Sequence, residues 1–465
     1  MKQRVVITGM GVVSPVGSGR EKFWAGLTAG RSGIGPVTLF DVSTFPVRIA
    51  GEVKDLDAVT LLQRFPQTRG ERDRKILLGL AAAAEAVADA GFSWHGLPAR
   101  VPRYAAASSL DHLEESRSTA DVSEYRHHGL EAHATYASHA TDALRAARLI
   151  VGVGLEAFFL EDLAFTRGAA GMAEALMGGA DGGAPKLQTP LDRLATLIGD
   201  AYAIGGGRFT NCSACAAGAQ AIGQAFRDVR RGAVEVALAG ASDSMLNPLG
   251  LGGFSLLRVL SAENDRPAEA CRPFDVSRVG TVLGEGAAFM LLESLEHAAK
   301  RGARVYAEII GYGSSLDAYR VSDPEPDGRG AVLSMNHALR DAGLAPGEID
   351  CVNAHGTGTP KNDIVETAAI KQVHGERARR IPVHAVKSMT GHMIAASGAA
   401  EAVAAALTLH YGVVPPTINL HKPDPACDLD YVPNEARPFD GQYVLSNSFG
   451  FGGQNATIIF RKARL

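Results

Sequence analysis

Cysteine is scarce in this chain: five residues in 465, scattered rather than paired. That excludes a disulfide scaffold and fits a reducing cytoplasm. No cysteine or histidine cluster has the spacing of a zinc site. No apolar run approaches the ~18 residues of a membrane span. Charge of one sign is lacking too. With 46 basic and 50 acidic residues the net charge is −4, whereas nucleic-acid binders are usually basic. The start, Met1-Lys2-Gln3-Arg4 followed by an apolar stretch to Val16, superficially resembles a secretion signal. Gly9, Gly11 and Pro15 break it and no small-residue cleavage site follows, so it reads as a first strand and turn. Gly9 and Gly11 also imitate a dinucleotide loop, but Ser14 stands where its third glycine belongs.

What is present is an ordinary globular composition, 46% apolar and 21% charged, with 53 glycines. The length suffices for two domains or one large one. Strand-like and helix-like runs alternate, as in an α/β protein. Strands are expected at 5–9, 103–108, 234–240, 305–312, 351–354 and 381–386, and a closing hairpin at 443–446 and 456–461. Helices are expected at 75–90, 216–231, 330–342 and 392–411. The stretch 110–188 stands apart. It holds five of the 14 histidines (His112, His127, His128, His133, His139), which read as polar helix faces, and a glycine-rich run around 178–183.

Cys215 is the candidate nucleophile. It lies in Thr210-Asn211-Cys212-Ser213-Ala214-Cys215-Ala216-Ala217-Gly218, directly before a helical run. Unpaired N–H groups and the helix dipole at such a mouth favour thiolate. Far downstream, His355 sits in Asn353-Ala354-His355-Gly356-Thr357-Gly358-Thr359-Pro360 and His392 in Lys387-Ser388-Met389-Thr390-Gly391-His392. One cysteine with two histidines on glycine-rich turns suggests nucleophilic catalysis without a metal.

These motifs, in this order, resemble the elongating β-ketoacyl-acyl-carrier-protein synthases, condensing enzymes of the thiolase fold. The resemblance runs nearly end to end. It includes Arg4-Val5-Val6-Ile7-Thr8-Gly9-Met10-Gly11, Arg272-Pro273-Phe274-Asp275, Gly284-Glu285-Gly286 and Ser446-Asn447-Ser448-Phe449-Gly450-Phe451-Gly452-Gly453. It implies a duplicated five-layer αβαβα fold. Residues 1–290 would form one half, with the nucleophile and an enlarged cap at about 110–188. Residues 291–465 would form the other, with both histidines. It also implies decarboxylative condensation of a cysteine-bound acyl group with malonyl-acyl carrier protein. Cys215 would carry the acyl group and meet the family's Cys-x-x-Gly spacing with Gly218; Cys212 would not. The N–H groups of Cys215 and Phe451 would form the oxyanion hole, and Phe451 a gate. His355 and His392 would donate to the malonyl thioester oxygen. Lys387 and Glu401 would organise the site, and Thr357 and Thr359 would contact the phosphopantetheine arm.

The resemblance further implies no cofactor bound by the enzyme itself, since the substrates ride on the carrier protein's phosphopantetheine. It implies a cytoplasmic homodimer paired near Phe209 to Asn211, or a heterodimer with a related subunit, and neither nucleic acid nor membrane. An acidic carrier protein would dock on Arg69, Arg72, Arg74 and Lys75. Two positions depart from the pattern. Thr281 follows Arg278-Val279-Gly280 where phenylalanine is common, and Gln454 replaces a threonine. With the long cap, these point toward a specialised pathway. Two other readings stay open: a non-catalytic chain-length-factor-like subunit, and a non-decarboxylative acyltransferase.

Overall fold

A computed structural model describes residues 2–92, 142–154 and 190–463. Eleven strands form one mixed sheet. The short pair Gly17–Ser18 hydrogen-bonds only to the first strand. The others are β1 (Val5–Ser14), β2 (Arg148–Val153), β3 (Arg208–Asn211), β4 (Val236–Ser244) and β5 (Glu285–Ser294), then β6 (Ala307–Leu316), β7 (Cys351–Asn353), β8 (Val383–His384), β9 (Tyr443–Gly450) and β10 (Gln454–Lys462). They run in the order β8-β7-β9-β10-β6-β1-β5-β4-β2-β3.

That order is the same from both edges inward. β3, β2 and β4 are parallel, and β4-β5 and β5-β1 antiparallel. β8, β7 and β9 are likewise parallel, and β9-β10 and β10-β6 antiparallel. β1 and β6 join the two sets. The duplication that no sequence repeat reveals is therefore plain in the topology.

Five helices matter for the site: α1 (Arg74–Asp89), α2 (Ala217–Arg230), α3 (Arg329–Ala342), α4 (Pro360–His374) and α5 (Ser397–Tyr411). α2 and α5 share one apolar core with a face of both strand sets. Separate clusters pack α1 on the first set, and α3 and α4 on the second. The result is helix, first strand set, helix pair, second strand set, helix, the five layers that the resemblance implies.

α2 and α5 occupy equivalent places, each after the edge strand of its set. Each follows a short 3₁₀ turn, Ala214–Ala216 and Ile394–Ala396. Each turn opens on a left-handed residue, Ala214 (φ 48°) and Ile394 (φ 44°), a conformation costing about 1–2 kcal/mol outside glycine. Where the helices cross, Gly218 faces α5. A Cβ there would lie 2.7 Å from Ala399 N and 2.8 Å from Ala395 O, both backbone. Gly218→Ala should therefore cost about 1–3 kcal/mol by overpacking, read as a lower denaturant midpoint. An unchanged midpoint would show that the helices part freely.

Most element expectations match within a few residues. The last helix starts at Ser397 rather than His392, because the His392 backbone is tied to Val282 O at 2.7 Å by its N–H. The strand expected at 103–108, the five histidines and the glycine-rich run all lie outside the described residues. The stretch 110–188 is not a cap throughout. Within it, β2 is buried in the sheet between β4 and β3.

Candidate active site

Cys215 sits in the turn before α2 and is buried. His392 lies in the turn before α5, and its Nε2 is 3.1 Å from Cys215 Sγ. His355 follows β7. Its ring is 5.4 Å from that of His392, edge to face. The fold thus brings one residue from each of three loops around a single cavity of about 440 Å³, which Phe451, Thr281, Thr357 and Thr359 also line.

Burial holds both histidines well below the ordinary imidazole range, and the Lys387 cation adds to the effect. Both are therefore neutral at pH 7. Lys387 Nζ stands 3.2 Å from His355 Nδ1 and donates to His355 O at 2.6 Å. An ammonium has only donors, so Nδ1 must accept and Nε2 must carry the proton. His392 Nδ1 meets Ser397 Oγ at 3.0 Å. That hydroxyl can donate or accept, so it supports either tautomer.

Lys387 itself is buried and pairs with buried Glu401. Burial pushes the Glu401 carboxyl up to about 7 even against the lysine. Removing either partner would strand a charge in the core, which typically costs about 3–5 kcal/mol.

The thiol does not follow the helix-mouth expectation. Burial pushes Cys215 up to about 11. The N–H groups of Phe451 and of Cys215 itself, with Lys387 between those two effects, pull it back only in part. Both N–H groups thus lie beside the sulfur, whereas an oxyanion hole needs its donors at the oxygen of the bound acyl group. Gly450 makes the approach possible, since a Cβ there would lie 3.0 Å from Cys215 N and 3.1 Å from Ala216 N. The Phe451 ring stacks on Phe254 with centroids 6.0 Å apart.

Several contributors escaped the sequence reading. Glu366 Oε1 and Oε2 accept from the N–H groups of His355 and Gly356, each at 2.8 Å. Asp363 Oδ1 accepts from Thr357 and Gly358, each at 3.2 Å. Its Oδ2 takes the N–H of Phe274 at 2.9 Å, which binds the Arg272–Asp275 motif to the histidine loop. Both carboxylates lie one turn apart on α4. Their signal was legible: two acidic residues three apart just after Thr359-Pro360, at the start of a helix. Asp243 is a third. It accepts from Ala395 N at 3.0 Å, and burial raises it to about 7.

The docking cluster needs correction. Lys75 is 2% exposed and ion-paired with Asp73, so it cannot meet a partner surface. Arg74 turns inward to Glu285. Arg69 and Arg72 are exposed. Thr357 and Thr359 hydrogen-bond to each other at 2.9 Å across the cavity wall. Gln454 accepts from Gln220 Nε2 at 3.3 Å. Cys212 is exposed and its sulfur contacts Gly154 O at 3.5 Å, away from His392.

Comparison with known proteins finds relatives over nearly the whole chain. The family model for the beta-ketoacyl synthase N-terminal domain matches residues 2–298, and that for the C-terminal domain matches 306–421. The 3-oxoacyl-[acyl-carrier-protein] synthase 2 of Synechocystis sp. is 39% identical over 466 residues, 99% of this chain and 98% of the relative. Among solved structures, the ishigamide ketosynthase/chain length factor is 33% identical, with full coverage of both chains and a TM-score of 0.78. A type II PKS ketosynthase, AntDE, solved in complex with its acyl-carrier protein AntF, is 31% identical, again with full coverage of both, and has a TM-score of 0.77.

Proposed function

The chain belongs to the β-ketoacyl synthase family, and we propose that Cys215, His355 and His392 divide that family's chemistry among them. The reaction is that of a 3-oxoacyl-[acyl-carrier-protein] synthase: an acyl group is joined to malonyl-acyl carrier protein, and carbon dioxide is released. The observation that carries the division of labour is the pair of neutral, buried histidines at one thiol.

In the first step Cys215 Sγ attacks the acyl thioester. His392 Nε2, at 3.1 Å, takes the thiol proton and returns it to the departing carrier thiolate. This offsets the raised pKa of the resting thiol, because no free thiolate need accumulate. The N–H groups of residues 215 and 451 hold the tetrahedral oxyanion.

Malonyl-carrier protein then enters. The bond from its α-carbon to the carboxylate breaks, the electron pair moves into the thioester as an enolate, and carbon dioxide leaves. Nε2–H of His355 donates to the enolate oxygen, and His392 joins it in its other tautomer, with the proton moved from Nδ1 to Nε2 and the Ser397 hydroxyl then donating to Nδ1. A neutral donor suits this task, since it stabilises the oxyanion without surrendering its proton early. The enolate carbon attacks the acyl carbonyl, Cys215 thiolate departs, and one proton taken up from water restores the thiol. Thr357 and Thr359 would steady the phosphopantetheine arm, and Lys387 with Glu401 would keep His355 in its donor form.

The acyl carrier protein is the partner of this chemistry, and its docking surface would include Arg69 and Arg72. Homodimer pairing would use β3, the edge strand beside the nucleophile, whose Phe209 is 49% exposed. No helix among the described residues is long and apolar enough to cross a membrane; a cytoplasmic location is proposed. A single turnover with acyl- and malonyl-carrier protein tests the reading. The expected product is two carbons longer, with one carbon dioxide per product. Acyl transfer without carbon dioxide would instead indicate a non-decarboxylative acyltransferase, and no acylation a chain-length-factor-like subunit.

A further inference from the structure

Thr281 carries a polar atom with nothing to bind among the described residues. The residue is 3% exposed, and its hydroxyl has no hydrogen-bond partner among the described residues. An orphaned buried hydroxyl is costly to keep and calls for an explanation. It cannot escape by backbone motion. Thr281 N donates to Val259 O at 2.8 Å, and Thr281 O accepts from Ser261 N at 2.7 Å. It is also held in register with the histidines, since the next residue's carbonyl, Val282 O, accepts from His392 N at 2.7 Å. Thr281 is among the residues that line the cavity of Cys215, His355 and His392.

We propose that the Thr281 hydroxyl donates to the carboxylate of the malonyl group and fixes its orientation before carbon dioxide leaves. This rests on the condensing reading above. The assignment follows by elimination. The thioester oxygen is met by the two histidines, the oxyanion of the acyl group by two backbone N–H groups, and the phosphopantetheine arm by Thr357 and Thr359. The malonyl carboxylate is the one remaining polar group of the substrates at the reaction centre. A phenylalanine at 281 would offer it no hydrogen bond. A neutral hydroxyl also suits a group that must lose its charge. It sets the carboxylate across the plane of the thioester, where the breaking bond overlaps the forming enolate, and it keeps its own proton throughout. A paired cation would instead bind the ground state more tightly than the departing carbon dioxide and raise the barrier.

Two unreactive amide analogues, malonyl-pantetheine amide and acetyl-pantetheine amide, probe the contact by calorimetry. They differ only in the carboxylate. The wild-type protein should prefer the malonyl amide by about tenfold or more. Thr281→Val, of the same shape, should lose that preference, and Thr281→Ser should restore it. A preference unaltered in Thr281→Val, or absent from the wild type, overturns the proposal. Turnover gives a second reading. Thr281→Val should release carbon dioxide from malonyl-carrier protein roughly 10- to 100-fold more slowly, with Thr281→Ser near wild type as the control for folding. A wild-type protein that prefers the malonyl amide yet releases no carbon dioxide would defeat the condensing reading and leave the Thr281 contact standing. A wild-type protein that releases carbon dioxide, with Thr281→Val equally fast, would defeat the Thr281 contact alone.

Discussion

Alanine at His355 or at His392 is expected to slow carbon dioxide release from malonyl-carrier protein by about 10²–10³-fold, the usual cost of losing one donor to a developing oxyanion. The two variants should differ in the preceding step. His392 faces the thiol at 3.1 Å, whereas His355 faces Lys387. His392→Ala should therefore also slow acyl loading, and His355→Ala should leave loading largely intact. Stopped-flow mixing with mass detection of acyl-enzyme and labelled carbon dioxide separates the two. Wild-type condensation by both variants would defeat the histidine assignment.

The same histidines set a pH dependence. Burial lowers both below 6.5, so the donors remain neutral as the solution becomes mildly acidic. The rate of carbon dioxide release should show no acid limb at pH 6.5 from these groups. The sign for stability is the opposite of a salt-bridged histidine. The unfolded chain takes up protons near 6.5 and the folded one does not. The contribution is thus intact above 6.5 and declines as the pH falls below it.

Cys215→Ala is expected to abolish acyl attachment outright. Nothing else among the described residues offers a sulfur to this cavity. Cys212 is exposed and engaged elsewhere. Cys271, Cys351 and Cys427 are buried in the cores, and burial raises each of their thiols. Cys212→Ala should acylate like the wild type. Intact-mass measurement after incubation with acyl-carrier protein reads both, and an acyl adduct on the Cys215→Ala protein would move the nucleophile to another residue.

How much of this was legible in the sequence depended on whether the signal was local. The spacing from Cys215 to Gly218 was local, and so was its physical reason, a helix start that must meet a second helix closely. The turns around His355 and His392 were marked by their glycines. What the sequence hid was distance. The thiol was expected to be low because a helix follows it, but its pKa is dominated by burial, which spacing does not report. Glu366 and Asp363 were visible as acidic residues at a helix start, but their contacts, with the histidine loop and with Phe274 far off in the chain, were not. Lys75 was misread as surface because charged residues surround it. Its place was nonetheless readable: Lys75, Gly79, Ala83 and Val87 recur at helical spacing on one buried face of α1. β2 was missed because it lies inside a stretch that departs from the expected pattern, though Leu149-Ile150-Val151 is an ordinary buried-strand run.

The central claim is that one buried thiol holds the acyl group while two neutral histidines act on the malonyl group. Peptide mapping by mass spectrometry tests it most directly. The protein is first loaded from an acyl-carrier protein, then chased with malonyl-carrier protein. The acyl mass should appear on the peptide containing Cys215, localised to that residue by fragmentation. The chase should remove it and return it on the carrier protein, two carbons longer. An adduct on Cys212 or any other residue, or a Cys215 adduct that malonyl-carrier protein does not discharge, would contradict the account.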